Sequence, residues 1–392
     1  MSAPTQNPSS SFVAESAPSG KDANSSYFSR PVFLMINSLE RGGTERQYVE
    51  LAQSLKRAGS PVNLGCIQPF GPFLEDLTVT GFSDMPAFGL GGSLYGLESV
   101  RCRWRLMRHL RKLEIAVAHS FDFYTNLTLV PAAKLARVPV LGSQRQLGDL
   151  LTKAQSRAQL EMFRWCDRVV CNSKAAADLL LRSRLAPSKV VVIGNGLPAA
   201  AFARTTAVLE RQPGLVRVGM IARMNTPSKN HSVFLRAAAS VTQRFSDVEF
   251  VVVGDGPLRG DFEKQAADLG IQRQVQFLGD RSDIAGILAS TDVLVIPSAT
   301  ESLSNVMLEA MAAGVPIIAT AVGGNVELGA DNRAVLVPAN DGNAIAAELE
   351  RLLLDEKARK QFAERARAYA LENFMADRIR EQYCALYAEV AK

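Results

Sequence analysis

Short apolar runs recur along the chain, each followed by a polar, often glycine-containing loop and then by apolar residues at helical spacing. In the first half they fall at residues 32–36, 115–118, 138–141, 169–171 and 190–193. In the second half they fall at 216–221, 250–253, 275–278, 293–296, 317–320 and 334–337. Such mostly apolar runs alternating with amphipathic segments predict buried parallel strands with helices on both faces of the sheet. The helix predicted over 44–58 carries Tyr48, Leu51 and Leu55 on one stripe, has capping-box spacing between Thr44 and Gln47, and ends at Gly59. A second helix, starting near Asn305, is closed by Gly314 and Pro316. The C-terminal stretch 374–392 repeats Ile379, Tyr383, Leu386 and Tyr387 at helical spacing.

The rhythm breaks twice. Residues 1–29 are rich in Ser, Ala, Pro, Asn and Gly, with no basic-then-apolar leader pattern, and predict a disordered tail. Residues 197–213 change character between the two halves. The chain therefore divides into an N-terminal α/β domain over 30–205 and a C-terminal one over 206–373.

Composition narrows the class. A chain of 392 residues has room for two domains, and 47% hydrophobic with 21% charged residues is the balance of a globular protein. No run reaches the ~20 apolar residues that span a bilayer. The net charge of +5 suits anionic small molecules or a membrane surface without requiring nucleic acid. Five cysteines with no paired zinc-type spacing fit free thiols in a reducing cytoplasm.

The chemistry gathers at loops that follow strands. In P-S-A-T-E-S-L-S-N-V-M-L-E, Glu301 lies in the loop and Glu309 about two helical turns beyond, so both can face one crevice. The free N–H groups at Asn305 and Val306 offer an anion site at the helix start. Gly42 and Gly43 follow the first strand and let the backbone approach a ligand. His119 is placed at the end of the 115–118 strand, and Arg145 just after 138–141. Arg223 and Lys229 sit in A-R-M-N-T-P-S-K after the 216–221 strand. Gly254 and Gly256 in G-D-G-P, with Gly260 and Asp280 beyond, admit a second reading as a dinucleotide site, although the third glycine comes one residue late. There is no D-x-D pair at a strand end to hold a divalent metal.

The stretch E-S-L-S-N-V-M-L-E resembles the E-x7-E signature of the retaining, nucleotide-sugar-dependent glycosyltransferases of group 1. The likeness extends over nearly everything after residue 30. It implies a GT-B fold, that is, two Rossmann-like doubly wound parallel-sheet domains with a cleft between them and a C-terminal helix crossing back onto the first. It further implies that Glu301 touches the sugar, Glu309 holds the ribose, Arg223 and Lys229 grip the departing diphosphate, and His119 contacts the sugar or reaction centre. Gly43, Asn305, Val306, Gly254 and Gly256 would line the donor pocket, and Arg145 would face the acceptor. Ser302 and Ser304 stand where many relatives carry Gly, and Pro198 replaces an Asp after Gly194-Asn195-Gly196.

The expectation is a retaining glycosyltransferase that needs no metal and no cofactor beyond its nucleoside-diphosphate-sugar. Its acceptor would be a glycan or lipid-linked hydroxyl in surface polysaccharide or lipid-linked glycan synthesis. The alternatives are a non-catalytic nucleotide-sugar-binding protein and an NAD-dependent oxidoreductase. The basic helical segment 101–113, with Arg101, Arg105, Arg108, Arg111 and Lys112, reads either as a peripheral contact with anionic lipid or as a crossover helix packing Met107 and Leu110 on the sheet.

Overall fold

The computed structural model describes residues 27–91, 96–148 and 151–392, so the expected tail lies outside the described residues up to residue 26. Those residues form two parallel sheets. The first contains β1 (Val32–Ile36), β2 (Val62–Cys66), β3 (Val117–Ser120), β4 (Val140–Gln144), β5 (Arg168–Cys171) and β6 (Val190–Val192), in the order β2-β1-β3-β4-β5-β6. The second contains β7 (Val216–Ile221), β8 (Val248–Val253), β9 (Val275–Gly279), β10 (Val293–Ile296), β11 (Ile317–Thr320) and β12 (Val335–Val337), in the order β12-β11-β10-β7-β8-β9. Both are doubly wound. Winding reverses between β1 and β3 in the first sheet and between β7 and β10 in the second, and ligands bind outside the carboxyl ends of strands at such reversals.

The central strands β1 and β10 are fully buried apolar runs because helices cover both faces of each sheet. The run Val-Asn-Leu-Gly-Cys of β2 escapes the sequence pattern. Its Asn63 and Gly65 interrupt the apolar run, and its first residues are only half-buried.

The C-terminal helix (Ala376–Val390) completes the first core. Ile379, Tyr383 and Tyr387 pack with Leu34, Tyr48 and Phe121 on one face of the first sheet. The crossing is made by two strands of chain side by side. Leu197 N–H donates to Phe374 O at 2.8 Å, and Ala376 N–H donates to Leu197 O at 2.8 Å. A Cβ on Gly194 would meet the Phe374 ring at 2.7 Å, so the Gly194-Asn195-Gly196 turn is close-packed on the returning chain. Gln47 fastens that turn from the first domain, donating to Gly196 O at 3.0 Å and accepting from its N–H at 2.7 Å. The capping box expected from Thr44 and Gln47 is therefore not made. The helix (Gly43–Arg57) starts one residue earlier, on Gly42, with no side-chain cap.

The basic segment lies in the helix Leu97–Lys112, whose Cys102, Leu106 and Leu110 are buried on the sheet. Leu97, Val100 and Trp104 face outward, with the Arg108 guanidinium 4.7 Å from the Trp104 ring centre. No helix among the described residues is long and apolar enough to cross a membrane. All five cysteines are buried as free thiols.

Candidate active site between the two sheets

A cavity of about 370 Å³ opens where the carboxyl ends of the two sheets face each other. Its second-domain wall begins at the helix Asn305–Ala313. Ser304 caps that helix by accepting from Met307 N–H at 3.3 Å, and Gly314 ends it in a left-handed conformation at φ 73°. The N–H groups of Asn305 and Val306 at the cavity rim have no acceptor within the helix, which leaves them and the positive end of its dipole for a ligand. A Cβ on Gly43 would lie 2.6 Å from Asn305 Nδ2, so a larger residue there would displace that side-chain amide.

Lys229 Nζ is ion-paired to Glu301 Oε1 at 2.5 Å, and Ser298 Oγ donates to the same oxygen at 2.9 Å. Asn230, in a left-handed conformation at φ 57°, ties the lysine loop to the end of β10 by donating to Pro297 O at 2.9 Å. Arg223 is exposed on the same wall, and its guanidinium is hydrogen-bonded to none of the described residues. Its loop is shaped by the glycines after β8. A Cβ on Gly254 would sit 2.1 Å from Ala222 O, and one on Gly256 would sit 2.5 Å from the Met224 backbone. Met224 N–H also donates to Asp255 O at 2.9 Å.

Glu309 points into the cavity and pairs with Arg46 of the first domain. Burial raises its carboxyl above the ordinary range, while the Arg46 guanidinium opposes that rise. Arg41 reaches across in the same way to Asp280 at 2.5 Å. Arg145 enters from the end of β4 and donates to Asn195 Oδ1 at 3.0 Å and to the Tyr383 hydroxyl at 2.9 Å. Asn195 in turn donates to Asn305 Oδ1 at 2.7 Å, joining first-domain wall, hinge and helix start.

Arg223, Lys229, Glu301, Glu309, Gly43, Asn305, Val306, Gly254 and Arg145 thus share one cavity wall or another. Two expected residues do not. His119 lies inside β3 rather than beyond it, because the strand runs two residues further than its apolar run suggests. Its ring is wholly buried, with Nδ1 2.9 Å from the Tyr387 hydroxyl and Nε2 2.9 Å from Ser143 Oγ. Burial, assisted by the charge of Arg145, holds its pKa well below the ordinary histidine value, so it stays neutral and structural. Gly256 lies behind the cavity, packed on the Met224 backbone, and supports the Arg223 loop.

The dinucleotide reading of the glycines loses its geometry. Gly260 faces open space, and Asp280 is taken up by Arg41. Gly323 and Gly324 close on the backbone of Glu301 and Ser302. Among the described residues no group of three or more His, Cys, Asp or Glu side chains is placed to hold a metal.

Arg41, Arg46 and Asn172 escape notice in the sequence. Arg46 becomes visible only as a residue on the same helix mouth as Gly42 and Gly43. Asn172 follows a strand, which is the position where ligand-facing residues collect.

Fold and cavity define a GT-B architecture in which an open helix start shares the cleft with Arg41, Arg46, Arg145 and Arg223. Residues 216–355 match the model of the glycosyl transferases group 1, and residues 41–200 that of glycosyltransferase family 4. The chain belongs to the group 1 glycosyltransferases. It is 33% identical to a D-inositol 3-phosphate glycosyltransferase of Salinispora arenicola over 60% of this chain and 58% of the relative, so it spans little more than half of that protein. It is 29% identical to a phosphatidyl-myo-inositol mannosyltransferase of Mycolicibacterium smegmatis over 83% and 84% of the two chains. The crystal structure of Anabaena HepE in complex with UDP and glucose shares the fold at a TM-score of 0.80 and 20% identity, over 92% of this chain and 99% of that one.

Proposed function

We propose that the protein is a retaining, metal-independent glycosyltransferase that moves a sugar from a nucleoside-diphosphate-sugar to an acceptor hydroxyl. The observation that carries this reading is the Lys229–Glu301 pair set beside the start of the Asn305 helix, inside the cleft between the two sheets. Breaking the anomeric C–O bond leaves an oxocarbenium-like centre and gathers negative charge on the departing diphosphate. Lys229, Arg223 and the N–H groups of Asn305 and Val306 are preorganised around the space where that charge develops. These are the protein's own substitutes for a divalent cation.

Glu301 fixes Lys229 and presents its second oxygen to the sugar hydroxyls. Glu309 holds the ribose hydroxyls once Arg46 yields its carboxylate. The acceptor oxygen attacks on the face that the diphosphate leaves, and its proton passes to the departing phosphate oxygen, so configuration is retained without a separate base.

The names of the two relatives, an inositol-phosphate glycosyltransferase and a phosphatidylinositol mannosyltransferase, support a polar or lipid-linked acceptor. UDP in the HepE complex makes UDP the first donor base to try. The outward face of the helix Leu97–Lys112, with Trp104 among arginines, suits peripheral contact with an anionic membrane surface on the cytoplasmic side.

A thermal-shift panel of UDP, GDP, ADP and NAD⁺ tests the class. A ligand at 100 times its Kd adds about 2.7 kcal/mol. One nucleoside diphosphate is expected to raise the Tm, and the matching sugar nucleotide to be turned over. Lys229→Ala is expected to lower turnover about 10²-fold, the scale for losing one transition-state stabiliser. Stabilisation by NAD⁺ alone, or binding without any turnover or hydrolysis, would overturn the reading.

A further inference from the structure

The cations around the cavity divide into those already neutralised and those that are not. Arg41 has Asp280, Arg46 has Glu309, Lys229 has Glu301, and Arg281 has Asp283. Arg223 and Arg145 have no carboxylate partner among the described residues. Arg223 stands beside Lys229 and the start of the Asn305 helix, where the donor diphosphate accounts for it.

Arg145 stands on the opposite wall, at the end of β4, and nothing in the donor reading uses it. Its guanidinium is fixed by neutral groups alone: Asn195 Oδ1 at 3.0 Å, the Tyr383 hydroxyl at 2.9 Å, and the Phe121 ring centred 5.0 Å beneath it. Its Nε is buried and has no hydrogen-bond partner. A half-buried cation clamped in one orientation, without a counter-charge, is costly to keep. The charge is offset when the missing anion arrives with a substrate. The rigid guanidinium fork suits the planar carboxylate or the tetrahedral phosphate, and lysine does not reproduce that fit.

We infer that Arg145 is the binding residue for an anionic group, a phosphate or a carboxylate, carried by the acceptor, so that the acceptor class is a charged, phosphate-type molecule rather than a neutral sugar. This rests on the reading of the cleft as a donor-and-acceptor site. The other source of such an anion is the donor's own diphosphate, reached through Asn195 and Asn305, and the test separates the two.

Inorganic phosphate is titrated by calorimetry into the full chain saturated with UDP, at constant ionic strength, for the wild type, Arg145→Gln, Arg145→Lys and Tyr383→Phe. The expected result is phosphate binding to the UDP-loaded wild type at one site. Arg145→Gln weakens it about tenfold or more, the scale of one lost charge-assisted hydrogen bond. Arg145→Lys falls between the two, and UDP affinity stays within about threefold throughout. Tyr383→Phe keeps the charge and removes one neutral anchor, so it loosens phosphate by a few-fold and serves should Arg145→Gln not fold. Phosphate that ignores both substitutions, or that does not bind the UDP-loaded chain, overturns the inference. Phosphate that competes with UDP, with UDP itself weakened tenfold in Arg145→Gln, hands Arg145 to the donor. A folded wild type that binds no nucleoside diphosphate is a different failure, seen before any phosphate is added; it removes the donor reading and the inference with it.

Discussion

Ser302 of the second domain donates a hydrogen bond to Asn172 of the first, Oγ to Oδ1 at 2.6 Å, across the inner end of the cleft. Next to it the Glu327 carboxylate accepts from Lys174 N–H at 3.1 Å and 3.2 Å, at the start of the helix Lys174–Arg182. That carboxylate satisfies a free N–H and meets the positive end of the helix dipole. Two neighbouring contacts thus hold the domains together at one point. Glu327→Ala is expected to weaken this closed arrangement by about 1 kcal/mol, the usual worth of a capping carboxylate. Hydrogen exchange at the Lys174 amide and steady-state kinetics check it together. Exchange should quicken and the donor KM rise several-fold, whereas an unchanged exchange rate would show that the contact holds nothing.

Gly254 and Gly260 are predicted to behave in opposite ways. Gly254 has φ 129°, and a Cβ there would strike Ala222 O. Gly254→Ala should cost about 2 kcal/mol or more in stability and displace the Arg223 loop, lowering turnover as well. Gly260 lies in the helix Arg259–Asp268 with open space around it. Gly260→Ala should leave stability unchanged within about 0.5 kcal/mol or raise it slightly. Equal losses in denaturant unfolding would contradict the role given to the Gly254 turn.

Glu309→Gln tests the ribose contact without opening space. A hydrogen bond to a charged group contributes about 1.5–3 kcal/mol, so the donor KM should rise by about tenfold or more, with kcat far less affected. A fall confined to kcat would place Glu309 at the reacting sugar instead.

Acid should destabilise the second domain through His231. His231 is held down to about 4, chiefly by burial, and its Nε2 lies 3.3 Å from Ala222 O. Because the unfolded chain takes up this proton near pH 6.5 and the folded one does not, stability falls as pH drops from about 6.5 towards 4. The loss reaches about 3 kcal/mol at pH 4 from this group alone. His231→Gln keeps an N–H donor and does not titrate, so it should flatten the slope of urea-unfolding stability against pH in that window. His119, also neutral by burial, leaves a residual slope.

Strand positions were legible where two-sided burial leaves a mostly apolar run. Val293–Ile296 is such a run and agrees to the residue; Val216–Ile221 agrees too although Arg217 and Gly219 interrupt it, whereas β2, with Asn63 and Gly65 in its run, was missed. Residues at the loops after strands were legible too, since doubly wound sheets place their ligands there. Arg223, Lys229 and Glu301 lie on the cavity wall for that reason. His119 was misplaced by a shift of two residues in a strand end, and that shift separates a ligand-facing side chain from a core one.

The amino-acid order by itself determined the alternation of strand and helix, the glycines that loops must have, and the charged residues available to a diphosphate. These depend on local burial and backbone freedom, which are written within a few neighbouring positions. Only the tertiary structure decided which charges already have partners. Arg46 is 263 residues from Glu309 and Arg145 is 238 from Tyr383, and their meeting follows from how two sheets and a returning helix pack.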